Sequence, residues 1–361
     1  MIVCRGCRGT ELATVLDLGK VPAADHFPPA GSPIDGAETA HPLRMDRCPA
    51  CGLAQLAQDD TRTEEPRGVE PRALREQAAA AVERVADRLR GATVREFGSP
   101  HGGTWLPLLA ERGFHEVTGV ADVVLDCFGI MHEPDQRAAF AERAAATAPG
   151  GLLLLQYHSL ATIVAAGQWN ALRHGHFAYY SLAALRRLLA TAGMSVASAW
   201  EFDLYGGTVL LAARHGAAEP DDSVRAVLAA EAPRLELAAL RHLQRVTDEH
   251  VRALRSWLEG QAAQGNRVFA YGAASRAVAL FSLAGAHRGL IAGVADASPA
   301  KHDRRMPGTD IPIIAPAALA AARPDRVLLT LPDLLPEVRE HCPELAGRWF
   351  LDDPGGPRKG D

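Results

Sequence analysis

Two pairs of cysteines stand out in the first sixty residues: Cys4 and Cys7 in CRGC, Cys48 and Cys51 in CPAC. Four thiolates make a complete tetrahedral shell for zinc, and each CxxC lets two sulfurs approach one ion from a single tight knuckle. Only Cys127 and Cys342 lie outside this quartet. The other readings are two disulfides or four free thiols. The N-terminus, MIVCRGCRGTEL, lacks the basic start and long apolar run of a secretory signal, which argues against disulfides. With all four positions filled by sulfur, the expected zinc is structural rather than catalytic, and the module around it is expected to need the metal to fold.

A second cluster with chemical potential is Arg173-His174-Gly175-His176-Phe177-Ala178-Tyr179-Tyr180-Ser181. If the backbone is extended through Gly175, His174 and His176 share a face and line a pocket with Tyr179 or Tyr180. The alternative is a surface or packing role. Ser181 reads as the N-cap of a following helix. Two glycine turns join strand to helix. The first, EFGSPHGGT, holds Gly98, Gly102 and Gly103; by itself such a turn is often only a tight connection. The second, AYGAASR, is followed by Asp296 at the end of the next strand, LIAGVAD. That is a dinucleotide-type arrangement with an incomplete glycine pattern, and its helix start suits a phosphate, with Arg276 as the anion contact. The alternative is a small α/β domain that packs against the others. Tyr205 in LYGGTV precedes Gly206 and Gly207, which suit either close backbone approach to a pocket or a turn.

The elements that must position these residues fall into three zones. Residues 1–63 suit a small, loop-rich zinc-binding module. Residues 64–216 alternate strand-like and helix-like segments: helical spacing across 72–90, a strand at ATVREFG, a helix near 104–112, a helix across 135–148, the strand LLLLQY, a helix across 182–192, and strands near 195–202 and 208–213. Residues 217–361 open with helix over 221–262, interrupted at Pro233, and continue as a smaller α/β unit with strands VFAYG, LIAGVAD and RVLLTL. The fold class is α/β. Net charge is −5 in 361 residues, with no basic stripe, which argues against a nucleic-acid or membrane-surface binder. No apolar run approaches a spanning helix, and the expected location is the cytoplasm.

One stretch conflicts with this plan. Residues 114–128, FHEVTGVADVVLDCF, look like the end of one strand running directly into another. Parallel neighbours need a crossover of about a dozen residues. Only one normal strand is therefore expected here, with Val117–Val120 a lead-in.

The ordered set VLDLGKVPAADHF, CPACGLAQL, GHFAYYSLAALRRLLATAGM, LYGGTV, AYGAASR and PGTDIPI resembles the zinc-containing C-methyltransferases of nucleotide-linked deoxysugars. The resemblance runs from the first ten residues past residue 330. It implies a class I methyltransferase-like Rossmann domain between the zinc module and a smaller Rossmann-like domain. It also implies S-adenosylmethionine as cofactor, held by the Gly98, Gly102 and Gly103 turn, and a nucleotide sugar as the small-molecule substrate. The family motif "HEHF.Y.S" maps its histidines onto His174 and His176, with His176 as base and Tyr179 beside it. His132 in MHEPD matches another family position. Three departures fall on the chemistry. The family's acid between the histidines is Gly175. The tyrosines ahead of the middle domain are absent from RTEEPRGVEPRAL. The stretch that carries the adenosine half of the sheet is missing at Val120-Ala121, leaving Asp122 as the candidate for the ribose acid. The expected protein is thus a divergent relative with methyl transfer weakened or lost, either a non-methylating enzyme on a keto-sugar or a partner of an intact methyltransferase paralogue or of its own copy. The competing expectation is an active methyltransferase of a keto-deoxysugar. The truncated sheet leaves an edge that helix 72–90, another chain or an altered loop is expected to cover.

Overall fold

A computed structural model describes residues 2–61, 69–100 and 102–360. Residues 62–68, from the tyrosine-free stretch, and 101, from the glycine turn, lie outside the described residues. Strands β1 (Ala13–Val21), β2 (His41–Arg47) and β3 (Ala54–Leu56) form an antiparallel meander. Alternation in β1 and β2 turns Leu16, Leu18, Leu43 and Met45 into a core, as a half-buried sheet requires.

The middle sheet begins after α1 (Arg72–Val85), whose Ala78, Ala81, Val82 and Val85 are buried at helical spacing. It contains β4 (Thr93–Phe97), α2 (Leu106–Ala110), β5 (His115–Glu116), β6 (Ala121–Cys127), α3 (Gln136–Ala146), β7 (Thr147–His158) and α4 (Leu160–Ala165). The two-residue strand β8 (Ala178–Tyr179) leaves this unit and pairs with β3, adding a fourth strand to the zinc module's sheet. Then follow α5 (Leu182–Thr191), β9 (Met194–Phe202) and β10 (Thr208–His215). Strand order is β5-β4-β6-β7-β10-β9, with β10 antiparallel to both its neighbours.

The stretch that posed the conflict holds a strand and a stub, placed on opposite sides of β4. β5 pairs only with Thr93 and Val94, while β6 pairs with Val94–Phe97. Since β5 stops level with the start of β4, the chain has no strand length to retrace and needs no helical crossover. Val117 gives its N–H to Val94 at 2.8 Å, and only three residues separate it from β6 on the other side of β4. Val117–Val120 is therefore the lead-in, but a second, very short strand precedes it. Helix α1 does not cover the edge. It packs on the sheet's face against Val94, Val123 and Leu125. The edge is β5 itself, two exposed polar residues, too short to template another sheet.

The third unit opens with α6 (Asp222–Glu231) and, after a 3-10 turn at Pro233, the 27-residue α7 (Leu237–Ala263). Strand β11 (Val268–Tyr271), α8 (Ser275–Leu283), β12 (Val294–Ala295), β13 (Ile313–Ile314), α9 (Pro316–Ala322), β14 (Arg326–Leu329), α10 (Leu335–His341), β15 (Trp349–Leu351) and β16 (Arg358–Lys359) complete it. Strand order β13-β12-β11-β14-β15-β16, parallel through β15, is the doubly wound pattern. A shared core joins β1 and β2 to α7 and α8. Arg305, buried beside the third sheet, holds both carboxylate oxygens of Glu38 in the zinc module at 2.6 and 2.7 Å. Among the described residues, no helix is long and apolar enough to cross a membrane.

Candidate active site

The four quartet sulfurs lie within 4.8 Å of one another. Cys4–Cys51 and Cys7–Cys48 are each 3.5 Å apart, far beyond a disulfide bond and close to the edge of a zinc–thiolate tetrahedron. The two knuckles match. Arg8 and Gly52, each just after the second cysteine of a pair, take left-handed backbone (φ 64° and 81°). Arg8 and Gly52 return N–H bonds to the carbonyls of Cys4 and Cys48. The donor set fits zinc.

A cavity of about 280 Å³ opens between the middle and third units. Ser99, Gly102, Phe128, Met131 and His158 reach it from the C-terminal ends of β4, β6 and β7, the end at which open α/β sheets bind ligands. Arg173, His176 and Tyr179 line it from the histidine loop, and Arg276, Asp296 and Lys301 from the third unit.

The histidine loop is a turn, not an extended segment, because Gly175 adopts φ 77°. This separates the two histidines. His176 faces the cavity. Its Nε2 accepts from Arg173 Nε at 2.8 Å, and its ring meets that of His132 edge-on at 4.5 Å. His174 turns away and packs edge-on to His41. It donates from Nε2 to the Pro42 carbonyl at 3.2 Å, and burial lowers its pKa. The expectation that both histidines line one pocket is thereby corrected. Tyr179 lines the cavity with its ring, while its hydroxyl accepts from the Arg173 N–H at 3.1 Å and fixes that residue's backbone. Burial raises its pKa, so it stays a neutral phenol.

The loop after β6 is set by a buried ion pair. One Asp126 oxygen accepts the N–H groups of Gly129 and Ile130, both at 2.9 Å, and the other accepts Arg143 Nε at 2.9 Å. This loop carries Phe128, Met131 and His132 to the site. It is laced to the histidine loop by His132 Nδ1 to the Gly175 carbonyl (3.0 Å) and the Phe177 N–H to Met131 (2.7 Å). Phe128 and Tyr205, both lining the cavity, are non-glycine residues at positive φ (62° and 54°), with rings 6.4 Å apart. Such strain collects at ligand sites.

Of the glycine-turn residues, Gly102 lines the cavity at φ 85°. Among the described residues, neither it nor Gly98 has any atom within 4 Å of where a Cβ would stand. Gly103 is closed: a Cβ there would lie 2.9 Å from the Glu70 carboxylate. The turn is braced by Glu96, which accepts from Trp105 N–H at 2.7 Å and Thr104 Oγ1 at 2.5 Å. Asp122 is at the other end of the sheet. Its carboxylate accepts the N–H groups of Ala92 (2.9 Å) and Thr93 (3.0 Å) and the Thr93 hydroxyl. It closes the turn into β4 and does not face the cavity, which corrects its assignment to a ribose. In the third unit, the first turn of α8 already holds a carboxylate: Ser275 Oγ donates to Asp25 of the zinc module at 2.5 Å. Asp296 accepts the Ala273 N–H at 2.8 Å.

Sequence reasoning missed three cavity residues. His158 ends β7. Burial first, then Arg276 and Arg173, push its pKa down to about 3, so its imidazole is neutral. Arg173 directly precedes the histidine motif, which was the one available signal. Lys301 donates to the Ala273 carbonyl at 2.8 Å and lies over the Phe27 ring; no motif marks it.

Three family models match along the chain: a zinc binding domain over residues 4–64, a methyltransferase domain over 119–199, and a C-methyltransferase C-terminal domain over 203–349. The C-methyltransferase NovU of Streptomyces niveus is 29% identical over 245 residues, covering 65% of this chain and 58% of that protein. The match thus spans under two thirds of the relative's length. Among solved structures, magnesium protoporphyrin IX methyltransferase of Synechocystis PCC 6803 is similar over 41% of this chain and 90% of its own, at 12% identity and TM-score 0.30. A S-adenosylmethionine-dependent methyltransferase of Clostridium acetobutylicum covers 40% and 92%, at 8% identity and TM-score 0.29. With a thiolate quartet and a six-stranded sheet whose single antiparallel strand is β10, the chain carries in tandem regions similar to a zinc binding domain, a methyltransferase domain and a C-methyltransferase C-terminal domain.

Proposed function

We propose that this protein works on a nucleotide-linked keto-sugar of natural-product biosynthesis, with His176 taking a proton from the carbon beside the ketone and a C-methyl group as the product. The observation that carries this reading is the placement of His176 in a buried cavity beside Arg173, Arg276 and Lys301. An imidazole is the side chain suited to carbon acids near neutrality. Cations around it suit a phosphate-bearing substrate and steady the negative charge that develops on the ketone oxygen. The neutral His158 is a further hydrogen-bonding group on the same wall.

S-adenosylmethionine, when bound, supplies the methyl electrophile. The open turn at Gly98, Ser99 and Gly102 fits its amino-acid end, since it leaves backbone uncovered at the cavity. A specific observation favours a second reading, enolisation without methyl transfer or a role beside an intact paralogue. β5 ends level with Val94, well short of the strand tips, so no acid on it reaches the position from which ribose hydroxyls are read.

The test is incubation of the zinc-loaded protein with a nucleoside-diphosphate 4-keto-6-deoxyhexose in deuterated water, with and without S-adenosylmethionine, read by mass spectrometry. Gain of a methyl group supports the first reading. Deuterium uptake alone supports enolisation without methylation. Absence of both, or uptake unchanged in His176→Ala, sinks the assignment of His176 as base.

A further inference from the structure

Arg173 faces two ways. Its Nε–H is bonded to His176 Nε2 at 2.8 Å, so the lone pair that would accept a carbon-bound proton is engaged by a cation. The same side chain lines the cavity with Arg276, and burial together with Arg173 weakens the hold of Arg276 on its proton, with Asp333 opposing them in part. Two guanidinium groups in one buried cavity repel each other and are stabilised by an anion placed between them; their planar forks suit phosphate oxygens. The backbone of Arg173 is held, its N–H by the Tyr179 hydroxyl at 3.1 Å, so a response to an anion belongs to the side chain alone.

Resting on the reading above, we propose that Arg173 is a positioning and specificity-determining residue: a diphosphate drawn to Arg173 and Arg276 pulls the guanidinium off His176 Nε2 and makes that lone pair available to the substrate. Ketones without phosphate leave Arg173 on the imidazole and are not enolised. The chemistry then balances within the site. The C–H bond beside the ketone breaks, its proton goes to His176 Nε2, the electron pair forms the C=C bond, and the carbonyl pair moves onto oxygen.

The probe is inorganic pyrophosphate, added to full-length zinc-loaded protein carrying ¹⁵N-histidine, with the His176 signal identified by its loss in His176→Gln. Among the described residues, Arg173 and the ring of His132 contact that imidazole, with Arg276, Lys301, Asp296 and His158 on the shared cavity wall and Asp333 acting on Arg276. A neighbouring guanidinium disfavours imidazolium, so its withdrawal is read as an upward move of the His176 titration. In Arg173→Gln that cation is already absent from Nε2 and pyrophosphate moves the titration little. Arg276→Gln, which leaves the Arg173–His176 bond in place, requires more pyrophosphate for the same shift. A non-phosphorylated keto-deoxyhexose should exchange its proton about tenfold faster with pyrophosphate in the wild type only. The proposal is overturned if pyrophosphate fails to bind, if it binds and leaves the His176 titration unmoved, or if Arg173→Gln responds as the wild type does. Should Arg173→Gln fail to fold, an unchanged pyrophosphate requirement in Arg276→Gln overturns it equally. An intact titration response with no proton exchange in any substrate would instead tell against the enolisation reading, so the two failures are separable.

Discussion

Gly175 shows how one residue's backbone decides what its neighbours do. Family members resembling this chain carry an acid there, and reversion to Glu looks like a repair. The φ of 77° argues otherwise. A side chain in the left-handed region is disfavoured by about 1–2 kcal/mol, and its Cβ would point toward the Asp25 carboxylate 3.9 Å away, with Asp59 already bonded to the Gly175 N–H at 2.7 Å. Gly175→Glu is therefore expected to lower the melting temperature by more than Gly175→Ala does, and to leave proton exchange no faster. A faster, equally stable Glu variant would show that the loop's conformation is not set by Gly175. The presence of a histidine motif was legible in the residues, and so was the candidate base. Which histidine reaches the cavity was not, because that depends on a single positive φ and on the partners at Pro42 and Arg173.

Among the elements, β5 and α6 behave least as local pattern suggests. The missing crossover was visible as arithmetic, and the count of residues forced a lead-in at Val117–Val120. The stub beside Thr93 and Val94 carried no signal, since two polar residues have no periodicity to read. At the end of α6, Glu231 joins two helix starts: it accepts Ser159 Oγ at 2.8 Å ahead of α4 and the Leu182 N–H at 2.8 Å in α5. Burial raises its pKa to about 7 from the usual 4.5. The folded chain then retains a proton that the unfolded chain has released, so this carboxyl's contribution to stability falls as pH rises between about 4.5 and 7, by on the order of 3 kcal/mol, and is level above that. Chemical denaturation of the wild type and Glu231→Gln from about pH 5 to 8 should give curves that separate across this window. Parallel curves would mean that Glu231 titrates as an ordinary carboxyl.

For the whole molecule, the zinc module braces the loops that line the cavity rather than being an appendage. β8 pairs with β3, Asp59 holds Gly175, and Asp25 holds the first turn of α8. Losing the metal should thus disturb the histidine loop as well as the module. Cys7→Ser, or chelation of the wild type, is expected to release zinc, lower the melting temperature and abolish proton exchange together; elemental emission, circular dichroism and mass spectrometry read the three. A zinc-free protein that melts and exchanges normally would show the quartet to be dispensable. None of these contacts was legible in sequence, since each joins residues that lie over a hundred positions apart and no local pattern records such a pairing.

The residues alone determined that four sulfurs meet, because ligand type and CxxC spacing suffice to define a tetrahedral site. They determined the alternating α/β order and the shortage of chain at Val120-Ala121, because periodicity and length are local properties. Tertiary structure decided which groups surround the cavity: that Asp122 serves the far end of the sheet, that His174 is turned aside, and that Arg173 lies on His176. Those outcomes depend on which strand ends and loops from three units come to lie together, and on the one dihedral angle at Gly175 that aims the imidazole.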